Sequence, residues 1–197
     1  MLSELVVATH NKGKLEEFQV LLKELNITVK SLDDFGITDE PEENGRTFAA
    51  NARIKAQYYA KATGMPCIAD DSGLEVQSLN GAPGVYSARY AGKEATDKEN
   101  NDLLLLNMKF QVRRNCRFRC ALCVAMPDGK VLNEVDGICE GMLLHEPLVE
   151  LGFGFDPLFW STELHMGLGE ASMEEKNKIS HRGKAIKKLI QLWGKKK

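Results

Sequence analysis

The residues Ala69-Asp70-Asp71-Ser72-Gly73-Leu74 set two adjacent carboxylates, a hydroxyl and a glycine directly after a short apolar run, Cys67-Ile68-Ala69. A run that short, closed by polar and glycine residues, reads as a buried strand meeting its loop. Open α/β sheets bind ligands at the C-terminal ends of their strands. Carboxylates placed there can hold a divalent cation or take a proton from water. An Asx-type turn capping the strand accounts for the same residues without any chemistry. If the strand continues, Asp70 and Asp71 face opposite ways, one toward a ligand and the other bracing a loop.

Three other polar groups suit the same ligand. Thr9-His10-Asn11-Lys12-Gly13-Lys14 follows an apolar run and opens a helix, whose free N–H groups and dipole favour phosphate. The Gly-x4-Gly-Lys-Ser/Thr spacing of a P-loop is absent. Glu42 and Glu43 stand beside Gly45, and Mg²⁺ takes one or two carboxylates together with waters and phosphate oxygens. Lys176, His181 and Arg182 bring several donors to the start of the last helix. With the aromatics of Gly152-Phe153-Gly154-Phe155-Asp156-Pro157 they could hold a flat, hydrogen-bonding ring, although Phe is more commonly a core residue. Phosphate donors, a metal with a base and a ring-recognition corner together describe a nucleoside polyphosphate site.

Periodicity supplies the elements that must position these residues. Residues 5–8 read as a strand, and Leu15, Phe18, Leu22 and Leu25 form the stripe of a following helix. Residues 27–32 are a second strand, and the acidic stretch 33–46, with Pro41 and Gly45, is a loop. Thr47 caps a helix over 48–62, on which Asn51 and Lys55 share a face with Phe48 and Tyr59. Gly81-Ala82-Pro83-Gly84 is a turn, and 97–108 is a helix. Strands over 117–126 and 130–144 flank Pro127-Asp128-Gly129, a hairpin signal. Ser172 and Glu175 form a capping box. The last helix follows Ser180-His181-Arg182-Gly183 and aligns Ile186, Leu189, Ile190 and Trp193. The fold class is α/β: a twisted mixed β-sheet flanked by helices, a single domain over 1–197 in two lobes with an active-site cleft between them.

Composition narrows the partners. A net charge of −2 gives no field for nucleic acid or an anionic membrane, and no apolar run approaches the roughly 20 residues of a membrane helix. The first residues lack the basic and apolar regions of a signal peptide, so a cytoplasmic location is expected. Five cysteines in such a chain are expected to be free and buried. Cys120 and Cys123 have zinc-knuckle spacing but no second pair, and on a strand they point to opposite faces.

The chain closely resembles the inosine/xanthosine triphosphate pyrophosphatases, which remove deaminated purine nucleotides. The matches are Ala8-Thr9-x-Asn11-x-x-Lys14, Thr47-Phe48-x-x-Asn51-Ala52-x-x-Lys55-Ala56, the Asp70-Asp71 segment, and the run from Gly81 to Gly92. Gly152-Phe153-Gly154-Phe155-Asp156-Pro157 and Glu175-Lys176-Asn177-x-Ile179-Ser180-His181-Arg182-Gly183-Lys184-Ala185 complete them, in the family's order. The resemblance implies hydrolysis of ITP, dITP and XTP to the monophosphate and pyrophosphate, with Mg²⁺, by a homodimer. It implies that residues 9–14 and Lys55 serve the phosphates, that Glu42 and Asp71 serve the metal, and that Asp71 accepts the proton. Ser72 then touches substrate, while residues 153–156, Lys176, His181 and Arg182 surround the nucleotide. Arg182 and His181 could donate to the 6-oxo group of hypoxanthine or xanthine, where adenine carries an amino group; such a mismatch discriminates by roughly 10⁴.

Leu148-Val149-Glu150-Leu151, Phe155 in place of a usual Tyr, and residues 165–170 depart from the family pattern, all around the base corner. Three rivals stand beside this reading. One is a Maf-type pyrimidine pyrophosphatase. Another is an idle nucleotide sensor. The third is a nucleic-acid binder using Arg113, Arg114, Arg117, Arg119 and the tail Lys195-Lys196-Lys197.

Overall fold

The computed structural model describes residues 2–149 and 152–194. Glu150 and Leu151 of the altered approach segment, and the tail 195–197, lie outside the described residues. Seven strands form one open mixed sheet: β1 (Glu4–Val7), β2 (Thr28–Lys30), β3 (Cys67–Val76), β4 (Asn115–Ala125), β5 (Val131–Leu143), β6 (Phe159–Ser161) and β7 (Met166–Gly167). Their order is β2-β1-β3-β4-β5-β6-β7. β1 runs parallel to both β2 and β3, with Val6 opposite Cys67 and Val7 opposite Ile68. The β5–β6 and β6–β7 pairs are antiparallel. At the Pro127-Asp128-Gly129 turn, the Met126 N–H bonds the Lys130 carbonyl at 2.9 Å and Gly129 takes φ +84°, as the hairpin signal requires.

Among the described residues five α-helices accompany the sheet: α1 (Lys12–Leu22), α2 (Phe48–Thr63), α3 (Asp97–Asn107), α4 (Met173–Ile179) and α5 (His181–Gly194). Side chains cap α2, α3 and α4, two of them at the residues the sequence indicates, Thr47 and Ser172. Thr47 Oγ1 accepts the Ala50 N–H, and full capping boxes join Thr96 to Glu99 and Ser172 to Glu175. Leu25 lies beyond α1 in a 3₁₀ turn, and α5 begins at His181 rather than after Gly183. β6 and β7 are too short to carry a period in the sequence.

The main departure concerns β3. It does not end at Ala69 but runs ten residues through Asp70, Asp71, Ser72 and Gly73 to Val76. Buried carboxylates are tolerated in mid-strand only where partners compensate their lost hydration, and both have such partners here.

Two compact units partition the chain. The first comprises the chain up to Asp71, Cys120–Gly137 and the chain from Arg182 onward; the second comprises Ser72–Arg119 and Ile138–His181. β3, β4 and β5 contribute residues to both. The first unit buries Leu5, Val7, Ile68, Leu122 and Val124 of the sheet against Phe18 and Leu22 of α1 and Ile186, Leu189 and Trp193 of α5. Each of those large helical side chains contributes roughly 1.5–3 kcal/mol. The second unit gathers Leu74, Val76, Cys116, Phe118 and Leu143 of the sheet with Leu104 of α3, Ile179 of α4 and Phe155. All five cysteines are free and buried.

Candidate active site

The first unit places two polar clusters on consecutive residues of β3. Asp70 is buried and takes Lys14 Nζ at 3.1 Å, Arg182 Nη2 at 3.0 Å and Arg182 Nε at 3.3 Å. Arg182, also buried, turns its remaining arm to Glu17 of α1. Burial alone would raise the Asp70 pKa; Lys14, Arg182 and Lys55 outweigh it and hold the carboxyl far below the usual range. Burial likewise disfavours the Arg182 cation, but Asp70 and Glu17 outweigh it and hold the guanidinium charged. Asp70 is a fixed anion that anchors Lys14.

Asp71 has a different environment. Its Oδ2 accepts the Asn51 amide N–H at 3.0 Å, and its Oδ1 lies 3.7 Å from Lys55 Nζ. Burial raises its pKa; Lys55 opposes this, and the neighbouring Glu43 carboxylate adds to the rise. The Lys55 ammonium also reaches Glu43 at 3.2 Å, and Asp71, Asp70 and Glu43 together outweigh its own burial and keep it charged. Adjacent carboxylates are thus driven apart: Asp70 strongly acidic, Asp71 poised to hold a proton more readily. Such a split separates a fixed charge from a candidate base.

Asn51 is the residue that sequence reasoning left outside the site. It is wholly buried on α2 and accepts the Gly45 backbone N–H at 2.8 Å while donating to Asp71. One amide therefore ties the acidic loop to the candidate base. A Cβ on Gly45 would lie 2.5 Å from Asn51 Oδ1, so only glycine lets the loop approach this closely. The signal was the four-residue spacing of Asn51 and Lys55 on one helix face.

The phosphate-type loop is formed as its sequence predicts. Asn11 caps α1, its side chain accepting the Lys14 N–H at 3.0 Å, and its own N–H donates to Thr9 Oγ1 at 3.2 Å. Asn11 and Thr9 thereby shape the loop, while the helix's first N–H groups, of Lys12 and Gly13, have no intrahelical acceptor. His10 is exposed and meets the Tyr59 ring edge-on at 6.2 Å.

Glu43, rather than the exposed Glu42, stands beside Lys55. Among the described residues no three His, Cys, Asp or Glu side chains converge as a closed metal cage. Asp71 and Glu43, whose like charges raise the Asp71 pKa, still offer hard oxygen donors of the kind Mg²⁺ takes alongside phosphate oxygens.

The second unit holds Phe153, Asp156, Lys176 and His181, which the sequence assigns to a flat ring. Lys176 is buried, pairs with Asp156 at 2.5 Å, and lies 4.4 Å above the Phe153 ring. Asp156 Oδ2 also accepts the Phe153 N–H at 3.3 Å, and Gly152 sits at φ +90° where a Cβ would meet Asp156 at 2.8 Å. Two residues of α3 that the sequence did not flag clamp the loop. Asp97 accepts the Gly154 N–H at 2.7 Å, and Asn101 donates to the Gly154 carbonyl at 3.0 Å. Phe155 belongs to the core, so of the two aromatics only the half-buried Phe153 fronts the lysine. His181 is buried and stacks on Phe118, with ring centroids 4.9 Å apart. Ser72 lies partly buried on β3. Arg182, read from sequence as a donor to the base, is engaged by Asp70 and Glu17.

This arrangement has counterparts. The Ham1 family profile matches residues 5–192. Proteins named dITP/XTP pyrophosphatase from Desulfotalea psychrophila and Bacillus subtilis are similar. The first is 48% identical over 96% of this chain and 84% of its own length, the second 46% identical over 98% of both. The structure of a HAM1 protein from Coxiella burnetii superposes with a TM-score of 0.88 at 40% identity, covering 99% of this chain and all of that one. The Staphylococcus aureus Ham1 protein gives 0.87 at 36% identity, over 98% of this chain and all of its own. With the family profile spanning the first strand to the last helix, and both carboxylates, the capped loop and the Gly-Phe-Gly turn inside that span, the chain belongs to the Ham1 family.

Proposed function

We propose that this protein hydrolyses deaminated purine nucleoside triphosphates, ITP, dITP and XTP, to the monophosphate and pyrophosphate. The divided environment of Asp70 and Asp71 is the observation that carries the chemistry. The names of the relatives from Desulfotalea psychrophila and Bacillus subtilis carry the substrate class. Asp71 takes a proton from water, the water oxygen bonds to the α-phosphorus, and the bond to the bridging oxygen of the leaving pyrophosphate breaks. Lys14 and Lys55 offset charge on the phosphates, with Asp70 fixing Lys14 and Asn51 fixing Asp71. Mg²⁺, held by Asp71 with an acidic-loop carboxylate from Glu42 or Glu43, supplies further neutralisation of the phosphate oxygens when bound. On the second unit, Lys176 over Phe153 presents a cationic donor that suits a 6-oxo group and is mismatched to an amino group.

A homodimer and a cytoplasmic setting complete the proposal; sedimentation of the purified protein tests the first. No helix among the described residues is long and apolar enough to cross a membrane. Hydrolysis of ITP in ¹⁸O-water tests the reaction. The label is expected in IMP, and its appearance in pyrophosphate would refute attack at the α-phosphorus. Chelation of divalent cations is expected to abolish turnover and Mg²⁺ to restore it; full turnover in chelator would remove the metal.

A further inference from the structure

Arg114, immediately before β4, is a buried cation that the proposed reaction does not use. Its Nε donates to the Leu143 carbonyl at 2.7 Å and its Nη2 to the Leu144 carbonyl at 2.6 Å. The backbone adds a third tie, the Leu143 N–H bonding the Arg114 carbonyl at 2.8 Å. These partners fix the guanidinium but carry no charge, and no carboxylate pairs with it among the described residues. A buried charge without a counter-charge is a costly arrangement, and burial pushes the Arg114 pKa down accordingly.

Arg114 also lines a pocket of about 260 Å³ whose other walls are Leu105, Leu106, Met108, Lys109 and His145. Three of the six lining residues carry or can take positive charge, none is acidic, and the other three are apolar. Lys109 and His145 are exposed, so their side chains can close on an occupant. With Nε and Nη2 held by the two carbonyls, Nη1 is left to donate to an oxyanion, and the two ties fix the plane of the guanidinium. The volume is slightly under that of drug-sized sites, which suits a small metabolite. No residue of the pocket belongs to the candidate active site.

We propose that this pocket binds a small phosphate monoester, its phosphate among Arg114, Lys109 and His145 and its apolar body against Leu105, Leu106 and Met108. The dianionic group supplies the counter-charge that Arg114 lacks, and the apolar wall favours an ester over the free ion. The inference is independent of the nucleotide reading.

Phenyl phosphate titrated into the ¹⁵N-labelled full chain, in chelator to weaken phosphate binding at the candidate active site, tests it. The Arg114 Nε–H resonance is expected to shift saturably. In Lys109→Gln/His145→Gln binding should weaken about tenfold or more, with turnover of ITP unchanged. Inorganic phosphate should bind more weakly than phenyl phosphate, and equal affinity would overturn the ester assignment. No saturable shift at Arg114, or an identical titration in the double variant, would overturn the site. Arg114→Met loses the ties to the Leu143 and Leu144 carbonyls and can fail to fold, whereas the exposed pair leaves those ties intact.

Discussion

Asp71 accepts a hydrogen bond from Asn51 and lies beside the Lys55 ammonium, against burial and the Glu43 carboxylate. Removing the amide in Asn51→Ala takes away the acceptor of the Gly45 N–H and the Asn51 donor to Asp71 together. Partners that orient a reacting or metal-binding group are worth about 10–100-fold in activity, so kcat for ITP should fall by that factor while KM changes less. A variant with unaltered kcat would show that Asp71 needs no such support. Lys176→Met takes from the buried Asp156 carboxylate the ammonium that faces it, which should cost about 3–5 kcal/mol in urea unfolding. Arg182 is held by pairings of the same kind. Its variants should lose stability first, because its arms hold Asp70 and Glu17. Sequence alone could identify these residue types but not their pairings, since Arg182 and Asp70 lie far apart in the chain.

Among the elements, α1, β3 and α5 are joined through Glu17, Asp70 and Arg182. Asp70 has a folded pKa below its unfolded value of about 3.9, so its pairing stabilises the fold above about pH 4. That contribution is lost as pH falls from there toward the depressed folded pKa. Asp70→Asn should therefore be less stable than the parent at pH 7, with the gap closing in acid; a gap constant from pH 7 to pH 2 would contradict the linkage. The acidic loop offers a second test. Gly45→Ala forces a contact with Asn51 Oδ1, so amide exchange at residue 45 should quicken and kcat should drop. The starts of α2 and α4 were legible because Thr47 and Ser172 announce them. The extent of β3 was not, because a pair of aspartates in mid-strand becomes favourable only once Lys14, Arg182, Asn51 and Lys55 arrive from other elements.

At the scale of the molecule, the periodic order of strands and helices indicated a mixed sheet, and the open seven-stranded sheet bears that out. The strand order β2-β1-β3-β4-β5-β6-β7 was not readable, because pairing between distant segments leaves no local period. The chemistry was more legible than the architecture around it: Asp70, Asp71 and Lys55 converge in one unit, Phe153, Asp156 and Lys176 in the other. What the sequence did not disclose is that an ion-pair network holds Arg182 and that Phe155 packs in the core. Pyrophosphate release with Mg²⁺ from ITP, dITP, XTP, ATP, GTP, dUTP and dTTP, run beside Asp71→Asn, tests the reaction and its base preference together. Rapid turnover of ITP, dITP and XTP alone, abolished in the variant, is the expected result. Preferred turnover of the pyrimidines, or full activity in Asp71→Asn, would contradict it.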